Sequence, residues 1–400
     1  MRHTLFIAAF IFFGIHSCSK LDESDGPMEE KSKDDDGFAL ADMAGGRGEF
    51  GGGNGGDGQY QAGVITAGEW RDLDHWDFWL NLRQDQDFQS ALENWSMHPF
   101  DRYRFHVSDQ NGQALINAEL RLMNGEEVLW KGLTNNQGLA ECWANVKGDE
   151  AVSDQLSYSV YLGGVSLTEG SALPYDEGTN EVTVSYEQQD PLIADLMFVV
   201  DATGSMGDEL EFLKVELNDV LEKAAAEHAE LDMRYGAVFY RDVDDEYLTR
   251  SQPFDQDVDA LISFIRKQKA DGGGDYEEAV EVALEEALLQ HSWSANARAR
   301  LLFLMLDAPP HHEDQIVTRM QELTAHAASR GIAIIPIAAS GINRDTEFLL
   351  RFMATLSNGT YTFVTDLSGV GDDHLEPTTG EYEDEKLNDL LLRLITTYCE

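Results

Sequence analysis

The sequence predicts an α/β fold, with a doubly wound, mostly parallel sheet in the C-terminal half and a small antiparallel β-sandwich before it. Two observations support this prediction. From residue 192 onward, continuous apolar runs of strand length alternate with longer segments of helical periodicity, which is typical of a parallel sheet covered on both faces. Between residues 102 and 187, short alternating apolar runs are separated by tight-turn signals, which favours antiparallel strands.

The N-terminus has the pattern of an export signal. An apolar run, Leu5–Ile15, is too short to cross a bilayer as a helix, and Ile15-His16-Ser17-Cys18 follows it. This ending resembles the lipobox of bacterial lipoproteins, which implies that residues 1–17 are a signal peptide and that Cys18 is lipidated. The alternative is an ordinary cleaved signal with an incidental cysteine. Ser19–Glu23 resembles the acidic export signal of Bacteroidota lipoproteins, which implies a lipid anchor in the outer membrane, in the cell envelope.

Two segments separate this signal from the predicted sandwich. Residues 18–60 are charged and then glycine-rich, as in Gly51–Gly56, and carry too little apolar surface to offset the entropy of ordering. We therefore expect a flexible tether there. In residues 61–100, the spacing of tryptophan, phenylalanine and leucine between Thr66 and Trp95 predicts one or two short helices with an aromatic face.

Residues 101–190 are predicted to form the sandwich. Arg104–Val107 and Ala118–Leu122 alternate apolar and polar residues, and Asn124-Gly125 marks a tight turn beyond them. The stretch Val107–Ala144 resembles the carboxypeptidase regulatory-like, transthyretin-like sandwiches. That resemblance implies a structural or spacer module.

Residues 191–400 are predicted to form the doubly wound domain. The predicted strands are Leu196–Val200, Tyr235–Tyr240, Leu301–Leu306, Ile332–Ile337 and Tyr361–Val364. The predicted helices are Gly207–Glu230, Val258–Lys269, Tyr276–Gln290, Asp314–Arg330 and Glu383–Tyr398.

Polar residues follow these strands where ligands gather in such sheets, beyond the carboxyl ends. Asp201, Thr203 and Ser205 come directly after the first strand, and Asp307 follows another. Asp275 ends a glycine-rich stretch just before a helix. Three carboxylates and two hydroxyls without a cysteine describe a hard oxygen site for a divalent cation.

Asp201, Thr203 and Ser205 resemble the Asp-x-Ser/Thr-x-Ser motif of von Willebrand factor A domains, and the element order over residues 192–400 is similar to that family. The resemblance implies a metal ion-dependent adhesion site that binds Mg²⁺, with Mn²⁺ or Ca²⁺ as alternatives, and a protein ligand. Asp307 matches the closing aspartate, and Asp275 stands where the family has a threonine. A third carboxylate should tighten metal binding and leave less positive charge for an acidic ligand. The alternative is that the first three residues only cap a helix.

Further polar residues lie at the same edge. Arg241 and Asp242 end the second predicted strand and could support the metal loop, or form a structural pair elsewhere. His311 and His312 could take part in a zinc site, but adjacent histidines seldom converge on one metal, and a loop with a helix cap is the alternative.

Composition narrows the function. A formal net charge of −46 disfavours nucleic acid as a partner. Because the sequence contains no nucleophile elbow, phosphate loop or metalloprotease helix, we expect a protein-interaction module and not an enzyme. A metal-dependent hydrolase with His311 as acid or base is the first alternative. A glycan-binding protein that uses the tryptophans is the second, although helical spacing favours them as core. Cys142 and Cys399 are expected to be separate buried thiols, with a cross-domain disulfide as the alternative.

Overall fold

The computed structural model of this chain describes residues 61–148, 152–153, 155–371 and 373–400. The described residues belong to one compact unit that begins at Gly58. The predicted signal peptide, Cys18 and the tether lie outside the described residues. Among the helices of the described residues, none is long and apolar enough to cross a membrane.

Fifteen strands and eight α-helices are found in the described residues. The strands are β1 (Thr66–Trp70), β2 (Arg102–Asp109), β3 (Glu119–Asn124), β4 (Glu127–Leu133), β5 (Leu139–Trp143), β6 (Ser157–Leu162), β7 (Val165–Ser171), β8 (Asn180–Val184), β9 (Ile193–Asp201), β10 (Asp232–Tyr240), β11 (Thr249–Asp255), β12 (Ala299–Leu306), β13 (Ala333–Ala338), β14 (Tyr361–Val364) and β15 (Glu385–Lys386). The helices are α1 (Trp76–Asn81), α2 (Gln86–Trp95), α3 (Gly207–Glu227), α4 (Val258–Ile265), α5 (Val280–Glu285), α6 (Asp314–Ser329), α7 (Arg344–Leu356) and α8 (Leu387–Cys399).

Eight strands form one large sheet in the order β11-β10-β9-β12-β13-β14-β1-β15. The five strands from β10 to β14 in this order are parallel, and β11, β1 and β15 pair antiparallel at its two sides. The carboxyl ends of β9, β10, β12, β13 and β14 therefore point to one edge of the sheet. The predicted α/β class is confirmed.

The central strand β9 explains why both faces of this sheet are covered. Leu196 and Phe198 pack with α3, α4 and α8 on one face, whereas Met197 and Val199 pack with α5, α6 and α7 on the other. A strand buried on both sides needs an unbroken apolar run, and all five residues from Leu196 to Val200 are fully buried. This run is the pattern that predicts the strand from sequence.

Three elements of the large domain differ from the sequence prediction. Thr66–Trp70 is a strand and not the start of a helix, because its backbone pairs with β14 and β15. β11 contains Pro253 and few apolar residues, which suits an edge strand. A search for apolar runs in the sequence therefore does not detect it. The amphipathic pattern of α7 is interrupted by Glu347 and Arg351, which are fully buried and paired with each other.

The segment from residue 76 to residue 184 packs as helices and two smaller sheets. α1 and α2 carry the predicted aromatic face, and the prediction of core tryptophans is confirmed for Trp70, Trp79, Trp95, Trp130 and Trp143, whereas Trp76 is half-buried. One sheet has the order β5-β2-β8 and the other β4-β3-β6-β7, and Phe105 of the first packs on Tyr158 of the second. The pair β2 and β8 is parallel, unlike the expected antiparallel arrangement.

A buried glutamate joins the first described residues to the large domain. Glu216 of α3 is fully buried, and its carboxylate accepts hydrogen bonds from the backbone N–H groups of Gly63, Val64 and Ile65. These charge-assisted bonds compensate the burial of the carboxylate. The helix that begins beside the predicted metal loop thus also fixes the residues that lead into β1.

Cys142 and Cys399 are both buried and unpaired, as expected. Burial raises the pKa of the Cys399 thiol to about 12 and raises the pKa of Cys142 further. Both thiols therefore stay protonated and unreactive at neutral pH.

Candidate metal centre

The predicted ligands lie at the carboxyl edge of the large sheet. β9 ends at Asp201, and β12 lies beside it and ends one residue before Asp307. The burial of the strands fixes these positions, since neither strand can slip without exposing its apolar run. Asp201 and Thr203 are fully buried and Asp307 is 5% exposed, whereas Ser205 is exposed at the mouth of the site.

The loop after β9 folds back on its own aspartate. Oδ1 of Asp201 accepts hydrogen bonds from the backbone N–H of Thr203 at 2.8 Å and from its hydroxyl at 2.7 Å. The hydroxyl oxygens of Thr203 and Ser205 lie 3.2 Å apart. One carboxylate and two hydroxyls are thereby brought to one point, as the sequence predicts.

The two aspartates have raised pKa values because they are buried close together. Burial and then the nearby Asp307 raise the pKa of Asp201 to about 7, against the lowering effect of the Thr203 hydrogen bonds. Burial raises the pKa of Asp307 to about 6, and a hydrogen bond from Ser205 opposes this. Oδ2 of Asp201 and Oδ1 of Asp307 are buried and accept no hydrogen bond. The hydrogen bonds from Thr203 to Asp201 and from Ser205 to Asp307, together with the Tyr240 hydroxyl near Asp201, therefore compensate the two aspartates only in part.

Glu278 is a third carboxylate at this site that sequence reasoning missed. It is 3% exposed, its backbone N–H donates to the carbonyl of Pro309 just beyond Asp307, and its Oε2 accepts no hydrogen bond. Burial, then the charges of Asp201, Asp242 and Asp307, raise the pKa of Glu278 to about 9. It lies three residues beyond Asp275 in "DYEEAV", where no periodicity in the sequence distinguishes it from its acidic neighbours.

Asp275, the predicted ligand from this loop, is exposed. Its charge contributes to the raised pKa of His311, and it is not among the main causes of the shifts at Asp201 or Asp307. The structure thus places Asp275 toward the solvent and brings Glu278 inward. Asp275 lies five residues before α5, which begins at Val280. It therefore belongs to the exposed part of the loop, whereas Glu278 lies next to the helix and faces the sheet.

Two glycines let the 271–275 loop lie directly on the metal loop. Gly272 and Gly273 have φ angles of 84° and 72°, in the left-handed region that favours glycine. A Cβ on Gly272 would lie 2.2 Å from the carboxylate of Asp245. The Gly272 carbonyl accepts a hydrogen bond from the N–H of Gly204 at 3.2 Å, which joins the two loops.

Arg241 contacts both loops. This agrees with the first of the two roles expected from the sequence, which was to support the loop that carries Asp201. It is 4% exposed, and its guanidinium donates to the carbonyl of Ala202 at 3.1 Å and to that of Lys269 at 2.8 Å. One side chain therefore holds the loop that carries Asp201 against the loop that leads to Glu278. Its five donors in a fixed plane suit this bridging role.

Asp242 binds the neighbouring histidine. Its Oδ1 lies 2.9 Å from Nε2 of His311, and this contact contributes to a raised pKa of His311 against the opposing effect of burial. His312 points elsewhere: its Nε2 is 3.0 Å from the carbonyl of Asn94, and its ring packs edge-on against Trp95. The two histidines do not converge, which speaks against the zinc site weighed from sequence.

A further acidic group borders the site from α3. Glu209 is 2% exposed, its Oε1 accepts a hydrogen bond from the backbone N–H of Ser340, and its charge raises the pKa of Asp307. Nε2 of His374 lies 3.3 Å from the same oxygen. Glu209 lies in the first turn of α3, and Ser340 follows β13. Because these two residues are far apart in sequence, their contact could not be inferred from the sequence.

The oxygen atoms of this site could hold a hard cation only if hydroxyl groups and carboxylates act together. In the described part of the chain, no three or more His, Cys, Asp or Glu side chains form a group that could hold a metal ion by themselves. A cation here would therefore need the hydroxyls of Thr203 and Ser205 together with the carboxylates. Buried carboxylate oxygens without partners are costly in an apolar surrounding, and a divalent cation would compensate them.

The sheet order and this oxygen-rich edge define an α/β domain with a candidate cation site at the carboxyl ends of its strands. Residues 195–371 match the family model of the von Willebrand factor A domain. Over these residues the chain is similar to von Willebrand factor A domains, which agrees with the resemblance seen in the sequence.

Curated relatives share part of this region. The chain is 31% identical over 186 residues to an ariadne-like RING finger protein of Acanthamoeba polyphaga mimivirus, covering 42% of this chain and 18% of that protein. It is 30% identical over 118 residues to the alpha-protein kinase vwkA of Dictyostelium discoideum, covering 29% of this chain and 19% of the kinase. The chain thus spans less than a fifth of the length of each of these two relatives.

Two solved structures are similar at lower identity. The conserved hypothetical protein BatB of Bacteroides thetaiotaomicron is 14% identical, with a TM-score of 0.34, over 51% of this chain and 98% of that one. An aerotolerance-related membrane protein of Bacteroides fragilis NCTC 9343, crystallised with multiple mutations to serine, is 14% identical, with a TM-score of 0.33, over 51% and 99%.

Proposed function

We propose that the von Willebrand factor A domain of this chain binds one divalent cation and uses the loaded site to hold a protein partner, without catalysing a reaction. The carrying observation is the pair of buried aspartates, Asp201 and Asp307, each with a carboxylate oxygen that lacks any hydrogen-bond partner. Such oxygens are rare in folded proteins unless an ordered water or a ligand completes them, and a cation would complete both at once.

Asp201, Thr203, Ser205 and Asp307 would hold the cation, with Glu278 in the role that the sequence gives to Asp275. All five offer oxygen ligands, which suit Mg²⁺, Mn²⁺ and Ca²⁺ alike, and the resemblance to von Willebrand factor A domains favours Mg²⁺. The cation would supply a fixed positive charge at the exposed mouth beside Ser205. Arg241 and Asp242 would keep the surrounding loops in place.

The cellular part of the proposal rests on the sequence of the first 23 residues. We place the protein in the cell envelope, anchored to the outer membrane by a lipid on Cys18. Growth with a labelled fatty acid should mark the wild-type protein and leave the Cys18→Ala variant unmarked. Equal labelling of both proteins would contradict the lipid anchor.

Thermal unfolding in chelator and in excess cation tests the metal site. A ligand that binds only the folded state at about a hundredfold to a thousandfold excess over its Kd stabilises by about 2.7 to 4.1 kcal/mol. Mg²⁺, Mn²⁺ or Ca²⁺ should therefore raise the Tm of the wild type. Asp201→Asn should abolish this rise.

Asp195→Asn is the matched control, because Asp195 is an equally buried aspartate at the other end of the same strand. This variant should unfold at a lower temperature and still show the full rise with cation. If no divalent cation changes the Tm of the wild type, the site does not bind metal and the proposal is wrong.

A further inference from the structure

The loops around the candidate metal centre carry an excess of exposed carboxylates. We call this set the acidic rim: it lies in the loops that follow β10, β12 and β14 and in the loop that precedes α5. Its members are Asp244, Glu246, Asp271, Asp275, Glu313 and Asp366. All six are exposed, and parallel pairing of the strands places these loops at one edge of the sheet.

The basic side chains near this edge offset only part of the rim charge. Arg241 is buried and donates to two backbone carbonyls, and His311 pairs with Asp242, which is not a rim residue. Arg250 pairs with the rim residue Glu246 at 3.3 Å, and Nδ1 of His374 lies 2.9 Å from Oδ1 of the rim residue Asp366. Lys269 is exposed two residues before Asp271 and offsets one further rim charge. The edge therefore keeps a negative excess.

The interior of the site does not reverse this excess. Asp201, Asp307 and Glu278 each have a buried carboxylate oxygen without a partner, and the carboxylate of Glu209, which pairs with His374, borders them. The charges of Asp201 and Asp307 alone balance those of one divalent cation. Even a loaded site therefore faces a partner with a negative potential, which repels a carboxylate and attracts an ammonium or guanidinium group.

Apolar side chains stand among the rim charges. Val243 is 59% exposed in the loop after β10, and Leu367 is 72% exposed in the turn after β14. Tyr276 is 39% exposed, and its hydroxyl donates to the carbonyl of Gly341 and accepts from the N–H of Asn343. Tyrosine is enriched among the residues that contribute most to binding at protein interfaces, and the two aliphatic side chains add apolar surface beside Tyr276.

We propose that the partner presents lysine or arginine side chains flanked by apolar residues, and that the acidic rim, with Val243, Tyr276 and Leu367, is the surface that selects it. The inference rests on the proposed function and specifies its ligand. It excludes an acidic side chain of the partner as the group that approaches the loaded metal.

Two fluorescent peptides of equal length test this inference on the full chain in saturating Mg²⁺. One alternates lysine with leucine and the other glutamate with leucine. The lysine peptide should bind and the glutamate peptide should not. The rim variant Asp244→Asn/Asp271→Asn/Glu313→Gln should weaken binding of the lysine peptide by roughly tenfold, as expected for three partly screened charge contacts.

A control variant separates the rim from the overall negative charge. Glu227→Gln/Glu230→Gln/Asp232→Asn removes three exposed acids at the opposite edge, near the start of β10. It should leave the affinity for the lysine peptide within about twofold. Equal losses in the two variants, or tighter binding of the glutamate peptide, would overturn the inference.

The Tm of the same samples with and without Mg²⁺ distinguishes the two failures. If the Tm rises with Mg²⁺ but the rim variant binds the lysine peptide as tightly as the wild type does, then only this inference is wrong. A Tm that does not change with the cation means that the proposed function itself has failed.

Discussion

Strand β9 carries a fully buried aspartate at each end, and the two have different surroundings. At the amino end, Asp195 accepts hydrogen bonds from the N–H of Ser294 at 2.5 Å and from its hydroxyl at 3.0 Å, and Arg234 lies 3.3 Å away. At the carboxyl end, one oxygen of Asp201 accepts two bonds from Thr203 and the other accepts none.

The neighbouring charges differ in sign as well. Burial raises the pKa of Asp195, but hydrogen bonds from Ser294 and the charge of Arg234 oppose the shift. At Asp201 the nearest charge is another carboxylate, which adds to the effect of burial. The fold therefore compensates one buried aspartate internally and leaves the other incomplete, which is what a ligand site requires and a structural site does not.

The largest effect should come from replacing the compensated aspartate. Asp195→Asn removes charge-assisted bonds and turns an amide N–H₂ group toward other donors, which should cost about 2 to 3 kcal/mol of unfolding free energy. Asp201→Asn removes repulsion from Asp307, so in chelator at pH 8 it should leave stability unchanged or raise it by about 1 kcal/mol. Urea unfolding of both variants measures the difference. Equal destabilisation by both would show that Asp201 is a structural residue.

Measured per pH unit at pH 7 and above, the pH dependence should be the next largest effect. Glu278 has a pKa of about 9 and Asp201 of about 7 in the folded protein, above their ordinary values of 4.5 and 3.8. Between roughly pH 4.5 and 9 the folded state therefore binds more protons than the unfolded chain. Stability in chelator should fall as pH rises through this window, by about 1.4 kcal/mol per pH unit for each extra proton.

Denaturant unfolding at pH 5, 7 and 9 would measure this slope. Glu278→Gln should lower the slope throughout this window and remove it between pH 7 and 9, because only Glu278 still holds an extra proton there. Saturating Mg²⁺ should also flatten the slope, since a bound cation replaces the protons. If Glu278→Gln leaves the slope in chelator unchanged, then Glu278 ionises in the folded protein with no loss of stability.

The same contrast shows what the sequence could predict. The apolar runs of β9, β10, β12 and β13 predict the parallel sheet, because strands covered on both faces are mostly apolar and carry polar residues such as Asp195 and Asp201 only toward their ends. Asp201 and Asp307 follow from these strands, since each stands at a strand end. The elements that sequence periodicity missed depend on contacts with residues far away in the sequence. β1 is a strand because its backbone pairs with β14, and Arg351 is buried in α7 because Asp72 and Glu347 pair with it.

The site could be predicted only as far as the strands determine it. Asp275 and Glu278 come from an irregular stretch between α4 and α5, where no periodicity says which side chain points inward. The left-handed conformations of Gly272 and Gly273 and the bond from Glu278 N–H to the Pro309 carbonyl decide this. These contacts join segments that are far apart in sequence, so only the folded chain shows them.

The smallest effect should distinguish the two candidate carboxylates of that stretch. Asp275→Asn removes an exposed charge, which the solvent screens, so the Kd for Mg²⁺ should rise by no more than about threefold. Glu278→Gln removes a buried carboxylate whose charge acts directly on Asp201, so the Kd should rise by about tenfold or more. Calorimetric titration of both variants at pH 8 and constant ionic strength measures the two ratios. If Asp275→Asn weakens binding more than Glu278→Gln does, then the loop must rearrange on binding the cation to bring Asp275 inward, and the third ligand is the one that the sequence pattern predicts.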